Sequence, residues 1–482
     1  MASASVYRAL GFVANRALLR GSYAPLSLQG LVKRGSTATY ANVLSNLPET
    51  EVTTLDNGLQ IASENSNHPT CTVGVWLKLG SRYETEKNNG VGNFIEHLAF
   101  KGTSKYPHAQ FEKEVESIGA HLDSHYSREK TAFYMKILPK DLPKAIEILA
   151  EITQNCSLEE SQVEKERNVI LQEMKESDSC LSDVLFDYLH ASAYQGTALA
   201  QTAEGTTANI KKLTRADIAE YMETHFKAPR MILVAAGDVV HKELVDLAQQ
   251  HFGNVPFSYK GDTMPILPRS RFSGSQVTVR DDALPLAHVA FAVEGPGWDS
   301  PDNLVLLLAN SIIGRYDVTF GGNKNLYSKM AADFAEKNFC QSFQTFNICY
   351  SDTGLFGFYF VSDRFSILHS SDWGRYEWMR MCTDLPEHDL ERGKKVLRRN
   401  LVAQLDGTTP MCKSIATQLL SYGRRIPLAE WDARISEINT QMVQDVCSKY
   451  VYDRCPVVAG VGPVEQLLDY NYNRTWTYLN RH

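Results

Sequence analysis

LEESQVEKERNVILQEM, residues 158–174, and LPEHDLERGKKVLRRNL, residues 385–401, are the two stretches whose reading decides the fold. Each reads as a charged helix, and the second follows the first at an offset of 227. Outward from them the pairing continues. Upstream, an alternating strand ends in Gly and charge in both halves, VGVWLKLG at 73–80 and VAFAVEG at 289–295, at an offset of 216. Downstream, residues 213–226 (LTRADIAEYMETHF) match residues 438–451 (INTQMVQDVCSKYV) at an offset of 225. Each is followed by Pro and an apolar run, MILVAAG at 231–237 and VVAGVG at 457–462. Three matches in one order at nearly one offset imply a duplicated domain of about 220 residues.

Within each half, β-branched and aromatic runs such as FGFYFV (356–361) predict strands, and residues 142–154 (LPKAIEILAEITQ) carry apolar residues at helical spacing. Strands and helices mix without strict alternation. The expected class is therefore α+β, two homologous halves with a β-sheet and packed helices in each. Residues 257–276 (FSYKGDTMPILPRSRFSGSQ) read as the linker, so the halves are placed at 37–262 and 276–482.

The 482 residues are enough for two to four domains and exclude a small stapled scaffold. With 43% apolar and 22% charged residues, the composition is globular and neither disordered nor collagenous. The longest nearly apolar run, LVLLLANSIIG at 304–314, is well short of the roughly 20 residues that span a bilayer. A formal charge of −7 argues against nucleic acid as the main partner. Before Glu49 there is no acidic residue, while Arg8, Arg16, Arg20, Lys33 and Arg34 are basic and Ser, Ala and Leu fill the gaps. That composition predicts a mitochondrial transit peptide over residues 1–36. Its removal would carry the formal charge from −7 to −12. Nine scattered cysteines without a CxxC pair support neither a zinc ribbon nor a disulfide framework.

The candidate chemistry lies in GNFIEHLAFKGT, residues 92–103. Glu96 and His97 fall in a predicted helix, and the pair matches the end of H-x-x-E-H, in which two His one helical turn apart bind zinc and the Glu activates the bound water. Here the first position is Asn93, so the motif reads N-x-x-E-H. A neutral carboxamide suits hard cations better than zinc, so zinc affinity is expected to fall steeply. Glu173, on the first charged helix, is the available third ligand, and Glu166 shares its helix face. His121 and His125 have i, i+4 spacing in AHLDSH, but the following segment, residues 130–138 (KTAFYMKIL), reads as a strand, and strand residues four apart lie about 13 Å from each other, too far to share an ion. His225 and His251 read as C-terminal helix residues rather than ligands. At the repeat offsets, Glu96, His97, Glu166 and Glu173 correspond to Ile312, Ile313, Gly393 and Asn400, so no second site is expected. FGGNKNL (320–326) matches no phosphate loop and reads as a flexible loop.

The runs GVGNFIEHLAFKGT (90–103), EKERNVILQEM (164–174) and KAPRMILVAAGDV (227–239), set in duplicated halves, resemble the pitrilysin-like inverzincins. The likeness covers nearly all of the chain after the leader. It is nearest to the branch shared by mitochondrial processing peptidase β subunits and the core proteins of ubiquinol–cytochrome c reductase. Residues 281–298, 340–355 and 422–431 look like the core-protein side in particular. The resemblance implies two halves around a cavity. It makes Glu96 a vestigial general base and Asn93, His97 and Glu173 vestigial metal positions. It further implies a non-catalytic subunit of complex III without bound cofactor, peripheral on the matrix side of the mitochondrial inner membrane. The implied partners are a second core subunit, cytochrome b, cytochrome c1 and the Rieske subunit, with a retained presequence peptide as a further occupant. The alternative it implies is a zinc-dependent processing peptidase β-type subunit that cleaves presequences.

Overall fold

The computed structural model describes residues 48–258, 267–320 and 326–479. The expected transit peptide lies outside the described residues, as do the middle of the linker and most of the Gly-rich stretch at 320–326.

The first half is a six-stranded sheet made of β1 (Glu51–Thr54), β2 (Gln60–Asn65), β3 (Cys71–Leu77), β4 (His121–Tyr126), β5 (Thr131–Ile137) and β6 (Met231–Gly237). Its main helices are α1 (Val91–Leu98), α2 (Leu142–Gln154), α3 (Glu160–Ser177), α4 (Leu181–Ala193), α5 (Arg215–His225) and α6 (His241–Phe252). The second sheet has β7 (Gln276–Arg280), β8 (Ala287–Gly295), β9 (Arg315–Asp317), β10 (Ser342–Cys349), β11 (Gly354–Ser362) and β12 (Val457–Gly462). With it come α7 (Asp302–Ile313), α8 (Ile367–Thr383), α9 (Glu387–Ala403), α10 (Thr408–Tyr422) and α11 (Thr440–Tyr450).

Strand order shows the duplication directly. The first sheet runs β1-β2-β6-β3-β5-β4 and the second β7-β12-β8-β11-β10-β9. Five strands correspond in place and sense: the β2–β6 and β7–β12 pairs are parallel, and the other shared pairs are antiparallel. Among the described residues the two sheets differ in strand order only at their margins, where β1 extends one edge of the first sheet and β9 the opposite edge of the second. Helix α3 begins at Glu160 and α9 at Glu387, which is the interval of the sequence repeat.

Alternation along the strands divides each sheet into two apolar faces. On the first sheet Val73, Val75, Leu233 and Ala235 join the core built with α1, α2, α3, α5 and α6. The opposite face, with Ala62, Trp76, Ala132, Ile232, Val234 and Ala236, is covered by Met411, Cys412, Ile415, Ala416 and Leu419. Those residues belong to α10, a helix of the second half. The converse also holds. Leu185, Phe186, Leu189 and Ala193 of α4 cover Ala290, Ala292, Val457, Ala459 and Val461 on the second sheet. The two halves thus exchange equivalent helices. Polar contacts fix the exchange at both places. Thr72 Oγ1 lies 2.9 Å from Thr408 Oγ1, and the Tyr194 hydroxyl donates to the Gly354 carbonyl at 3.0 Å. His190 on α4 is buried, with Nδ1 2.6 Å from the Phe186 carbonyl and Nε2 2.7 Å from the Tyr350 hydroxyl. A carbonyl only accepts, so Nδ1 carries the proton and Tyr350 donates to Nε2.

Arg82 joins the halves through charge. Its guanidinium, 3% exposed, donates to Glu129 at 2.5 Å within the first half and to Asp352 at 2.7 Å in the second. It also donates to the Ser351 hydroxyl at 2.8 Å and to that of Ser270, in the linker, at 2.9 Å.

Candidate functional site

Helix α1 presents the candidate residues, and its start is set by a remote carboxylate. Glu84 accepts from the backbone N–H of Gly90 at 2.9 Å, that of Gly92 at 2.8 Å, the Asn89 amide at 2.9 Å and the Tyr126 hydroxyl at 2.7 Å. The carboxyl oxygens satisfy donors that a helix N-terminus leaves without partners, while burial, opposed by these hydrogen bonds, pushes the Glu84 carboxyl above its ordinary range. Gly92 is needed for contact rather than flexibility, because a Cβ there would meet the Tyr126 ring at 2.3 Å. α1 is therefore seated between the sheet edge and α3 by contacts other than those of Asn93, Glu96 and His97.

One turn of α1 carries Asn93, Glu96 and His97. Asn93 is buried, its amide donates to the Glu204 carbonyl at 3.4 Å, and its Oδ1 has no hydrogen-bond partner among the described residues. Glu96 is buried and accepts from the Ser124 hydroxyl at 3.0 Å. His97 faces two carboxylates of α3: Nδ1 lies 3.6 Å from Glu166 and Nε2 lies 3.2 Å from Glu173. The Nε2 contact is close without hydrogen-bond alignment. Lys101 completes the group at 3.1 Å from Glu166.

Charge dominates this arrangement. Burial works against a charge on His97, but the Glu166 and Glu173 carboxylates, with Glu96 behind them, outweigh it and raise the imidazole to about 9. Burial likewise opposes a charge on Glu166, and His97 and Lys101 overcome it to hold that carboxyl below its ordinary range. In the unfolded chain the His97 imidazole would return to about 6.5. Its contribution to stability is therefore complete below about 6.5 and is lost as pH rises through about 9. His97→Gln is expected to unfold at lower denaturant than the natural chain at pH 6, with the gap closing by pH 10. A gap of the same size at both pH values would show that His97 is neutral in the fold.

Of the residues singled out in the sequence, the structure brings Asn93, Glu96, His97, Glu166 and Glu173 together. Glu173 is 45% exposed, whereas Glu166 is nearly enclosed, so the inner carboxylate facing His97 is Glu166. His121 and His125 both lie on β4 and do not form a pair on one helical turn. His225 closes α5 and His251 lies in the last turn of α6. In the second half Ile312 and Ile313 are buried in the apolar core, and a Cβ on Gly393 would meet Ile312 at 2.4 Å. An apolar contact thus occupies the place that the charged cluster holds in the first half. Glu84, Lys101 and Ser124 escaped the sequence reading. Ser124 and Lys101 each had one local signal, lying inside AHLDSH and GNFIEHLAFKGT, while Glu84 had none.

A catalytic zinc takes three protein ligands and leaves a position for water. Here α1 offers one imidazole and a carboxamide, and the imidazole holds its proton between two carboxylates. Among the described residues, no three His, Cys, Asp or Glu side chains form a group that could hold a metal ion. This donor set does not fit a catalytic zinc.

Comparisons with known proteins extend over both halves. The model of the insulinase family (peptidase family M16) matches residues 60–207, and that of the peptidase M16 inactive domain matches residues 212–397. The chain is 57% identical to cytochrome b-c1 complex subunit 1, mitochondrial, of Bos taurus over the full length of both chains. It is 48% identical to the mitochondrial-processing peptidase subunit beta of Bos taurus, over 99% of this chain and 100% of that one. Among solved structures, a chain of complex III2 from Candida albicans superposes with a TM-score of 0.80 at 26% identity, covering 89% of this chain and all of that one. A protease from Helicobacter pylori shares the fold, with a TM-score of 0.76 at 20% identity over 86% of this chain and all of that one.

Proposed function

The chain belongs to the insulinase family, peptidase family M16, and from that premise we propose that it is a core subunit of a mitochondrial cytochrome b-c1 complex, without peptidase activity of its own. The observation that carries the reading is the full-length likeness to subunit 1 of that complex, 57% against 48% for the processing peptidase subunit. The site supports it: Asn93 replaces the first imidazole of the motif, and His97 is bound by carboxylates instead of being left open to a metal. In this role the subunit passes no electrons. It supports the assembly and stability of a complex that takes electrons from ubiquinol to cytochrome c. Its partners are a second core subunit, cytochrome b, cytochrome c1 and the Rieske subunit. We place it peripherally on the matrix side of the inner membrane. Among the described residues no helix is long and apolar enough to cross a membrane.

Two measurements test this. Solubilised in mild detergent, the protein is expected to co-purify with b- and c-type haem; recovery wholly in a haem-free matrix fraction would refute the assignment. The second concerns a processing-peptidase reading, which the gathering of Glu96, His97 and Glu173 favours. The natural chain is expected to hold almost no zinc and to leave presequence peptides intact, while Asn93→His raises zinc occupancy towards a full ion per chain. Tight zinc and chelator-sensitive cleavage in the natural chain would establish the peptidase instead.

A further inference from the structure

Between the halves, beside the Arg82 network, lies a small cleft of about 50 Å³ lined by Lys78, Glu129 and Lys130 from the first half and Asp299, Ser351 and Ser421 from the second. Lys130 differs from an ordinary surface lysine in three respects. Its backbone is fixed at the β4–β5 turn, where Lys130 N–H donates to Ser127 Oγ at 3.1 Å and its carbonyl accepts from the Ser127 N–H at 2.9 Å. Its Nζ donates to Ser421 Oγ of α10 at 3.2 Å and sits 4.7 Å above the Trp298 ring. Among the described residues no carboxylate lies within ion-pair distance of that Nζ; the adjacent Glu129 is turned to Arg82 and to the Ser351 N–H. An ammonium group in this setting has lost water without gaining a counter-charge.

We propose that Lys130 is an acyl-acceptor site, its ε-amine taking an acyl group from a thioester at the cleft between the halves. The chemistry is closed. The neutral amine attacks the thioester carbonyl, a C–N bond forms, the C–S bond breaks, and the departing thiolate leaves as thiol with the proton shed by nitrogen. Nothing is oxidised or reduced. The product amide is uncharged, which removes the burial cost that the ammonium bears, and the small cleft favours an acyl group as short as acetyl. The charged and titratable groups around Nζ act in both directions. Burial, against the opposing pull of Glu129 and Cys349 and with a small contribution from Lys78, lowers the amine to about 8. A desolvated lysine is activated in the way that amine nucleophiles in enzymes are.

The test uses the natural chain in its native assembly, treated with acetyl-coenzyme A and read by site-resolved mass spectrometry. An amine lowered to about 8 is about half neutral at pH 8, against well under 1% of an ordinary exposed lysine, and its weaker basicity offsets part of that gain. Acetylation at Lys130 is expected to run about tenfold faster than at the exposed Lys140 and Lys242. Between pH 8 and 9 its rate should rise less than about twofold, while theirs rises about tenfold. A Lys130 rate equal to or below theirs, or one that climbs in parallel with theirs, would overturn the proposal.

Discussion

Expressed separately, residues 48–258 and 267–479 are each expected to fail to fold, and to recover structure when the two pieces are produced together. Each piece is large enough to form a domain by size alone, so the expectation rests on the exchanged helices. Without the second half, the α4 side chains Leu185, Phe186 and Leu189 lose the Ala290, Ala292, Val457 and Ala459 surface that buries them. At the same time the inner face of the first sheet, including Trp76, Ile232 and Val234, loses its α10 cover. Each of these large side chains contributes about 1.5–3 kcal/mol on burial, and the sum over both faces is comparable to the roughly 5–15 kcal/mol that holds a typical domain folded. Circular dichroism and limited proteolysis of each piece would check this. A cooperative unfolding transition from either piece alone would refute it.

Arg82→Met is expected to cost about 3–5 kcal/mol, the range for removing one partner of a buried ion pair. The guanidinium is 3% exposed, and two carboxylates depend on it. Burial opposes ionisation of Asp352, and Arg82 together with the Ser270 N–H overcomes it, holding the carboxyl below its ordinary range. Methionine fills the volume and leaves Glu129 and Asp352 facing each other without a positive charge. Urea unfolding would measure the loss. Adding Glu129→Gln and Asp352→Asn to Arg82→Met should return part of it, because the uncompensated charges are then gone. A loss below about 1 kcal/mol, as found for exposed pairs, would mean that the network is solvated.

Much of the fold was legible in the chain because duplication preserved spacing. The α3 and α9 helices start at the repeat interval, and the MILVAAG and VVAGVG runs became the corresponding strands β6 and β12. The exchange of α4 and α10 was not legible. An amphipathic helix shows that it has an apolar face but not which sheet receives it, and the two receiving faces are alike in their small residues, Ala62, Ala132 and Ala236 on one and Ala290, Ala292 and Ala459 on the other. The site divides in the same way. Asn93, Glu96, His97, Glu166 and Glu173 could be read from local spacing along two helices. Glu84, which seats α1, and Lys101, which shares Glu166, act through contacts made only in three dimensions.

The exchange also sets an order in time. α4 is made early, but the strand it needs, β12, is the last one among the described residues. A polypeptide that emerges N-terminus first therefore carries an uncovered apolar helix and an uncovered sheet face until nearly all of it is present. Contacts this distant in sequence make folding slow and leave sticky surface exposed meanwhile. The interval before β12 arrives is when this protein most needs a chaperone.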